Sequence, residues 1–144
     1  MAAPLTRGIH HLGFTVANLA LAQAFFIDAL NFKLLGENPD YPSSFVTDGV
    51  TMITLWGGEA GALPFDRRRQ IGLHHAAFAI ENLEALSALY SKLQDWPGVE
   101  IEGAISSPSV GSQARHFLLR MPGGPRIEFF VSAPTQTVGS LDES

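Results

Sequence analysis

The chain repeats itself at a spacing of 64 residues, and this repeat restricts its fold more than any other feature. "GIHHLGFTVANLALAQAFFIDAL" (8–30) lies over "GLHHAAFAIENLEALSALYSKLQ" (72–94). Gly8, His10, His11, Phe14, Asn18, Leu19 and Ala24 meet identical partners, Val16 meets Ile80, and Phe26 meets Tyr90. Four of the five histidines fall in the two matching doublets. Self-similarity in one register marks a structural unit used twice.

Each unit opens with a β-branched and aromatic run that reads as a strand. An asparagine follows, Asn18 or Asn82, directly before apolar residues at helical spacing. Its side chain can accept from the free amides of the first turn, so both are N-cap candidates. The first helix is expected to bury Leu19, Ala22, Phe25, Phe26, Ala29 and Leu30; the second, Leu83, Leu86, Leu89, Tyr90 and Leu93. Three extended segments follow each helix: "FKLLGE", "SFVTDG" and "VTMITLW", then "VEIEGAI", "ARHFLLRM" and "PRIEFFV". Both units therefore read as βαβββ, an α+β class. A single domain over 1–144 is expected, with module one at 8–63, module two at 72–131 and a frayed tail at 132–144. The glycine- and proline-bearing "GGEAGALPFDRRRQ" (57–70) reads as the linker.

Strand parity separates the histidines. Alternate side chains face opposite ways. His10, Leu12, Phe14 and Val16 share a large apolar face, while His11, Gly13 and Thr15 share a small polar one. The second copy repeats this with His74, Ala76, Phe78 and Ile80 against His75, Ala77 and Ala79. His11 and His75 are thus expected to point into a cavity, and His10 and His74 to bond backbone or water at the strand rims. In the last strand Glu128 and Phe130 fall opposite the core-facing Ile127, Phe129 and Val131. A bare carboxylate flanked by such residues is costly to bury, and a cation removes that cost. Aligning "MITLW" with "RIEFF" puts Thr54 at the position of Glu128, so the four equivalent places carry His11, Thr54, His75 and Glu128.

Two imidazoles and a carboxylate can hold one divalent metal with open positions; zinc, nickel, iron(II), manganese and cobalt all suit these donors. A second reading pairs Glu128 with Arg126 or Arg120 and leaves the histidines as ordinary hydrogen-bonding groups. Spacing alone weighs the two equally.

Composition removes other classes. With 46% hydrophobic and 16% charged residues the chain is globular. A net charge of −5 opposes a nucleic-acid surface, and the Arg67–Arg69 cluster suits only a small anion. Without cysteine there are no disulfides, thiolate metal sites or cysteine nucleophile. No apolar run is long enough to span a membrane. Arg7 with "LGFTVANLALAQA" mimics a signal peptide, but the pattern recurs from residue 72, so a structural role and a cytoplasmic location are expected.

The segments "HHLGFTVANLALAQAFF" (10–26), "GLHHAAFAIENLEAL" (72–86) and "RMPGGPRIEFF" (120–130) resemble the vicinal oxygen chelate superfamily. That superfamily includes glyoxalase I, fosfomycin-resistance transferases, bleomycin-binding proteins and extradiol dioxygenases. The resemblance implies paired βαβββ modules whose curved mixed sheets form an open, barrel-like cleft, commonly in a homodimer. It places the family's metal ligands on His11, His75 and Glu128. It also implies a small oxygen-bearing substrate and a lyase or isomerase activity of glyoxalase type. An iron(II) ring-cleaving dioxygenase, a fosfomycin-type transferase and a metal-free bleomycin-type binding protein are the alternatives. Two departures stand out. Glyoxalase I usually carries a glutamate at the place of Thr54, and extradiol dioxygenases a tyrosine at that of Leu118. Glu128 and His116 are the candidate catalytic residues. Arg115, Thr54, Trp56 and Phe130 are candidates for contacting the substrate, although His116 also reads as a solvated strand histidine.

Overall fold

The computed structural model describes residues 2–134, so most of the expected tail lies outside the described residues. Strand β1 (His11–Val16) leads into helix α1 (Leu19–Ala24), which continues as a π-helical turn over Phe25–Ala29. Strands β2 (Lys33–Asn38), β3 (Ser43–Thr47) and β4 (Met52–Gly57) follow. The second unit repeats the order with β5 (Ala76–Ala79), α2 (Leu83–Leu93), β6 (Glu100–Ile101), β7 (Arg115–Arg120) and β8 (Arg126–Val131). Each unit makes one four-stranded mixed sheet, ordered β1-β4-β3-β2 and β5-β8-β7-β6. In each, the first and last strands pair in parallel and the other pairs are antiparallel. Neither sheet closes into a barrel. Among the described residues no helix is long and apolar enough to cross a membrane.

Both asparagine caps form as expected. Asn18 and Asn82 are extended, and their side chains accept from Leu21 N and Ala85 N. The first helix departs from the regular period read in the sequence. Leu30 N bonds Phe25 O, Phe32 N bonds Phe26 O, and Asn31 takes a left-handed φ of 59° that ends the helix. The wider turn lets the adjacent Phe25 and Phe26 both be fully buried, while Leu19 and Leu30 are only half-buried. In α2, Leu86 and Leu93 are buried and Leu89 and Tyr90 half-buried, but Leu83 is exposed. Leu83 is the first residue after the cap.

One apolar core joins the two modules. Phe14, Val16, Ile53 and Leu55 of the first sheet and Phe117, Leu119, Ile127 and Phe129 of the second all belong to it. Phe78 meets Phe26 and Phe32 across the modules, with ring centres 6.2 Å apart in both pairs. Lys92 of α2 donates to Ala29 O at 2.7 Å, satisfying a free carbonyl at the end of the first helix. The β7–β8 turn docks on module one, where Ala17 N donates to Gly123 O at 3.0 Å. Gly123 has a φ of +95°, and a Cβ there would stand 2.7 Å from Val16 Cβ, so only glycine fits. The corresponding Gly49, between β3 and β4, has nothing within 4 Å of such a Cβ.

Candidate metal centre

Burial divides the strands as parity requires. Phe14 and Val16 of β1, Ile53 and Leu55 of β4, and Ile127 and Phe129 of β8 all turn to the core. That leaves His11, Gly13, Thr54, Trp56, His75, Ala77, Glu128 and Phe130 to the opposite faces. The registers also agree. Gly13 pairs with Thr54 and Ala77 with Glu128, each two residues beyond the second histidine of its doublet. Thr54 and Glu128 are therefore equivalent positions in the two sheets.

Glu128 is only 8% exposed. Its Oε2 lies 3.4 Å from His75 Nε2, and its Oε1 lies 3.5 Å from His116 Nδ1. Arg126 pairs instead with Glu102 at 2.8 Å, and Arg120 makes no ion pair among the described residues. The arginine partner considered as an alternative is thus absent from the carboxylate. Two donors about 2.1 Å from one tetrahedral ion stand about 3.4 Å apart, which is the spacing of His75 and Glu128. The pair fits a divalent ion. His116 Nδ1 is fully buried and has no hydrogen-bond partner, so a buried imidazole nitrogen faces the carboxylate.

The first sheet is arranged differently. Thr54 is 4% exposed, and its hydroxyl accepts from Trp56 Nε1 at 2.9 Å. A Cβ on Gly13 would stand 3.0 Å from Thr54 Oγ1 and 3.3 Å from Trp56 Nε1, so the glycine leaves room for that bond. Trp56 also meets Tyr41 and Phe45 edge-on, with ring centres 5.2 and 5.9 Å away. Sequence reasoning missed this aromatic cluster. Phe45 was within reach, since it pairs with Thr54 and shares its face, but Tyr41 sits in a loop without periodicity. His11 is exposed and is not brought to Glu128. Among the described residues no three histidine or carboxylate side chains gather in one chain to enclose a metal.

His10 and His74 correct the expectation of backbone or water partners. His10 Nδ1 lies 2.9 Å from His11 Nδ1, and His74 Nδ1 lies 2.8 Å from His75 Nδ1. His10 precedes β1, and His74 and His75 precede β5, so strand alternation is not imposed there and neighbouring rings can meet. His74, although exposed, is held below the ordinary histidine range by desolvation first. Charge repulsion from Arg126, the neighbouring His75 ring and Arg67 adds to this, against Glu102. Arg115 donates to Ser112 O at 3.1 Å and Ala114 O at 2.7 Å, holding the loop before β7. Phe130 pairs with His116 in register, its ring centre 6.3 Å from the imidazole. A cavity of about 370 Å³ lies between the modules, lined by Leu30, Phe32, Phe78, Leu89, Lys92 and Phe129. It contains none of the expected site residues, because Phe78 and Phe129 belong to the core faces of their strands.

Comparison with known proteins agrees with this architecture. A glyoxylase/bleomycin resistance protein/dioxygenase domain from Frankia sp. EAN1pec superposes with a TM-score of 0.73 at 22% identity, covering 92% of this chain and 96% of its own. The fosfomycin resistance protein FosX from Listeria monocytogenes gives 0.69 at 17% identity, over 90% and 96%. Lactoylglutathione lyase from Agrobacterium tumefaciens gives 0.66 at 15% identity, over 89% and 96%. Likeness at these identities shows the fold. No curated protein matches the sequence. The family model described as Glyoxalase/Bleomycin resistance protein/Dioxygenase superfamily matches residues 8–129, and the chain belongs to that superfamily.

Proposed function

We propose that the protein is a divalent-metal-dependent enzyme of glyoxalase type, a lyase or isomerase acting on a small oxygen-bearing substrate. The observation that carries this reading is Glu128, a buried carboxylate with no arginine partner, 3.4 Å from the Nε2 of His75. His11, His75 and Glu128 are the proposed ligands. Because His11 lies on the other sheet, we assign the complete site to a homodimer, the first sheet of one chain facing the second sheet of its partner. A bound divalent ion supplies Lewis-acid stabilisation of negative charge developing on a substrate oxygen. Glu128 can accept a proton at its free oxygen, and His116, facing Oε1, can take or return it. Trp56 and Phe130 would form the apolar walls that exclude water, with Thr54 held beneath Trp56 by the indole hydrogen bond. Arg115, bound to its own loop, would shape the border of the cleft beside His116.

Metal analysis of protein purified without added metal tests this directly, with about one ion per chain expected. An ion present at a hundred times its dissociation constant stabilises the fold by ~2.7 kcal/mol. At roughly 2–4 °C per kcal/mol for a chain of this size, chelator should lower the melting temperature by about 5–10 °C. Added metal should restore it. Metal-free protein with an unchanged melt would remove the metalloenzyme reading and leave a binding protein.

A further inference from the structure

We infer that the first histidine of each doublet is a positioning residue: His74 orients His75, and His10 orients His11, through a hydrogen bond between their Nδ1 atoms. The two doublets stand at the starts of strands in different sheets, yet they adopt one geometry. The Nδ1 atoms are 2.9 and 2.8 Å apart, and the rings stand edge-on with centres 5.2 and 5.1 Å apart.

Such a contact constrains where the protons sit. A neutral imidazole carries one N–H, so a bond between two Nδ1 atoms needs one protonated and one bare. His75 presents Nε2 toward Glu128. For that nitrogen to offer its lone pair to a cation, the proton of His75 must sit on Nδ1. With the cation bound, His75 is the donor and His74 the acceptor, with the His74 proton on Nε2. Fixing the tautomer and ring plane of a metal-binding histidine through its other nitrogen is the usual duty of an outer-sphere partner. The partner here is the preceding residue, which is possible only because neither doublet's first histidine is inside a regular strand. This accounts for the duplication of doublets rather than of single histidines.

The inference rests on the proposal that His11 and His75 bind metal through Nε2, and two measurements keep the failures apart. The first needs no metal. In chelated protein, nitrogen NMR of the imidazoles should show a through-hydrogen-bond coupling between the two Nδ1 atoms of each doublet, whichever of them carries the proton. His10→Leu and His74→Leu should remove that coupling and move the Nδ1 chemical shift of the histidine that remains. His10→Asn and His74→Asn, whose side-chain amide can accept or donate near the place of the lost Nδ1, should bring that shift back toward wild type. The second is metal affinity: the leucine variants should bind zinc about 10- to 100-fold more weakly, and the asparagine variants should recover most of the loss. Wild-type protein that binds no zinc overturns the metal reading, and the Nδ1–Nδ1 coupling then decides the positioning role by itself. Absence of the coupling in wild-type protein, or an unmoved Nδ1 shift in the leucine variants, overturns the positioning role. So does complete loss of zinc without rescue by asparagine, because it would make His10 or His74 the ligand.

Discussion

Replacing Thr54 with glutamate tests the equivalence of the two sheets at the proposed centre. Thr54 is 4% exposed, bonded to Trp56 Nε1, and 3.0 Å from where a Gly13 Cβ would stand. A carboxylate there, without metal, would be as enclosed as Glu128. An unpaired buried charge costs several kcal/mol, and losing the threonine acceptor adds about 1 kcal/mol. With roughly 3–4 kcal/mol lost and 2–4 °C per kcal/mol, Thr54→Glu should melt on the order of 10 °C below wild type in chelator. Thr54→Gln, of the same shape but neutral, should lose less than half of that. Saturating zinc should raise the Thr54→Glu melt more than the wild-type melt, because each tenfold gain in affinity contributes about 1.4 kcal/mol. Thermal unfolding by circular dichroism, with and without metal, provides the assay. If the variant melts like wild type in chelator, Thr54 is not enclosed. If zinc raises both proteins equally, Thr54 does not face the metal, and the alignment of "MITLW" with "RIEFF" fails functionally.

His11→Ala and His75→Ala should each abolish tight zinc binding in calorimetry, since two remaining ligands hold a divalent ion weakly. With a threonine where glyoxalase I usually has a glutamate, turnover of the hemithioacetal of methylglyoxal and glutathione should be at least about a hundredfold below that of a dedicated enzyme. Product formation under several metals measures this, and full activity would assign all proton transfer to Glu128. Phe26→Ala, at a fully buried ring touching Phe25, Phe32 and Phe78, should cost about 3–5 kcal/mol in denaturant unfolding without altering zinc stoichiometry.

Much of the architecture was legible because it depends on local chemistry repeated in register. Asn18 and Asn82 cap because each precedes an amphipathic run, and alternation alone divided Phe14 from Gly13 and Glu128 from Ile127. The equivalence of Thr54 and Glu128 followed from the repeat and appears as paired registers. Features that depend on tertiary packing were not legible. The π-turn exists because Phe25 and Phe26 both find room in a core contributed by module two, which no window of module one reveals. The ring-to-ring contacts within the doublets were not legible, because His10 and His74 stand before their strands begin and alternation does not place them. Arg115 looked free for a ligand, but the loop carbonyls that hold it are placed by a turn without periodicity.

The docking of the Gly123 turn against Val16 and Ala17, with no counterpart at Gly49, makes the two halves of the repeat unequal as places to modify the molecule. Val50 is 92% exposed beside a turn that touches nothing through its glycine. A peptide tag or fluorescent reporter inserted between residues 49 and 50 would enter solvent and leave both sheets intact. The same insertion between residues 123 and 124 would break the Ala17–Gly123 bond and wedge the modules apart. For surface attachment, split-protein reassembly or circular permutation, the first hairpin is therefore the handle, and the second is the clasp that must stay closed.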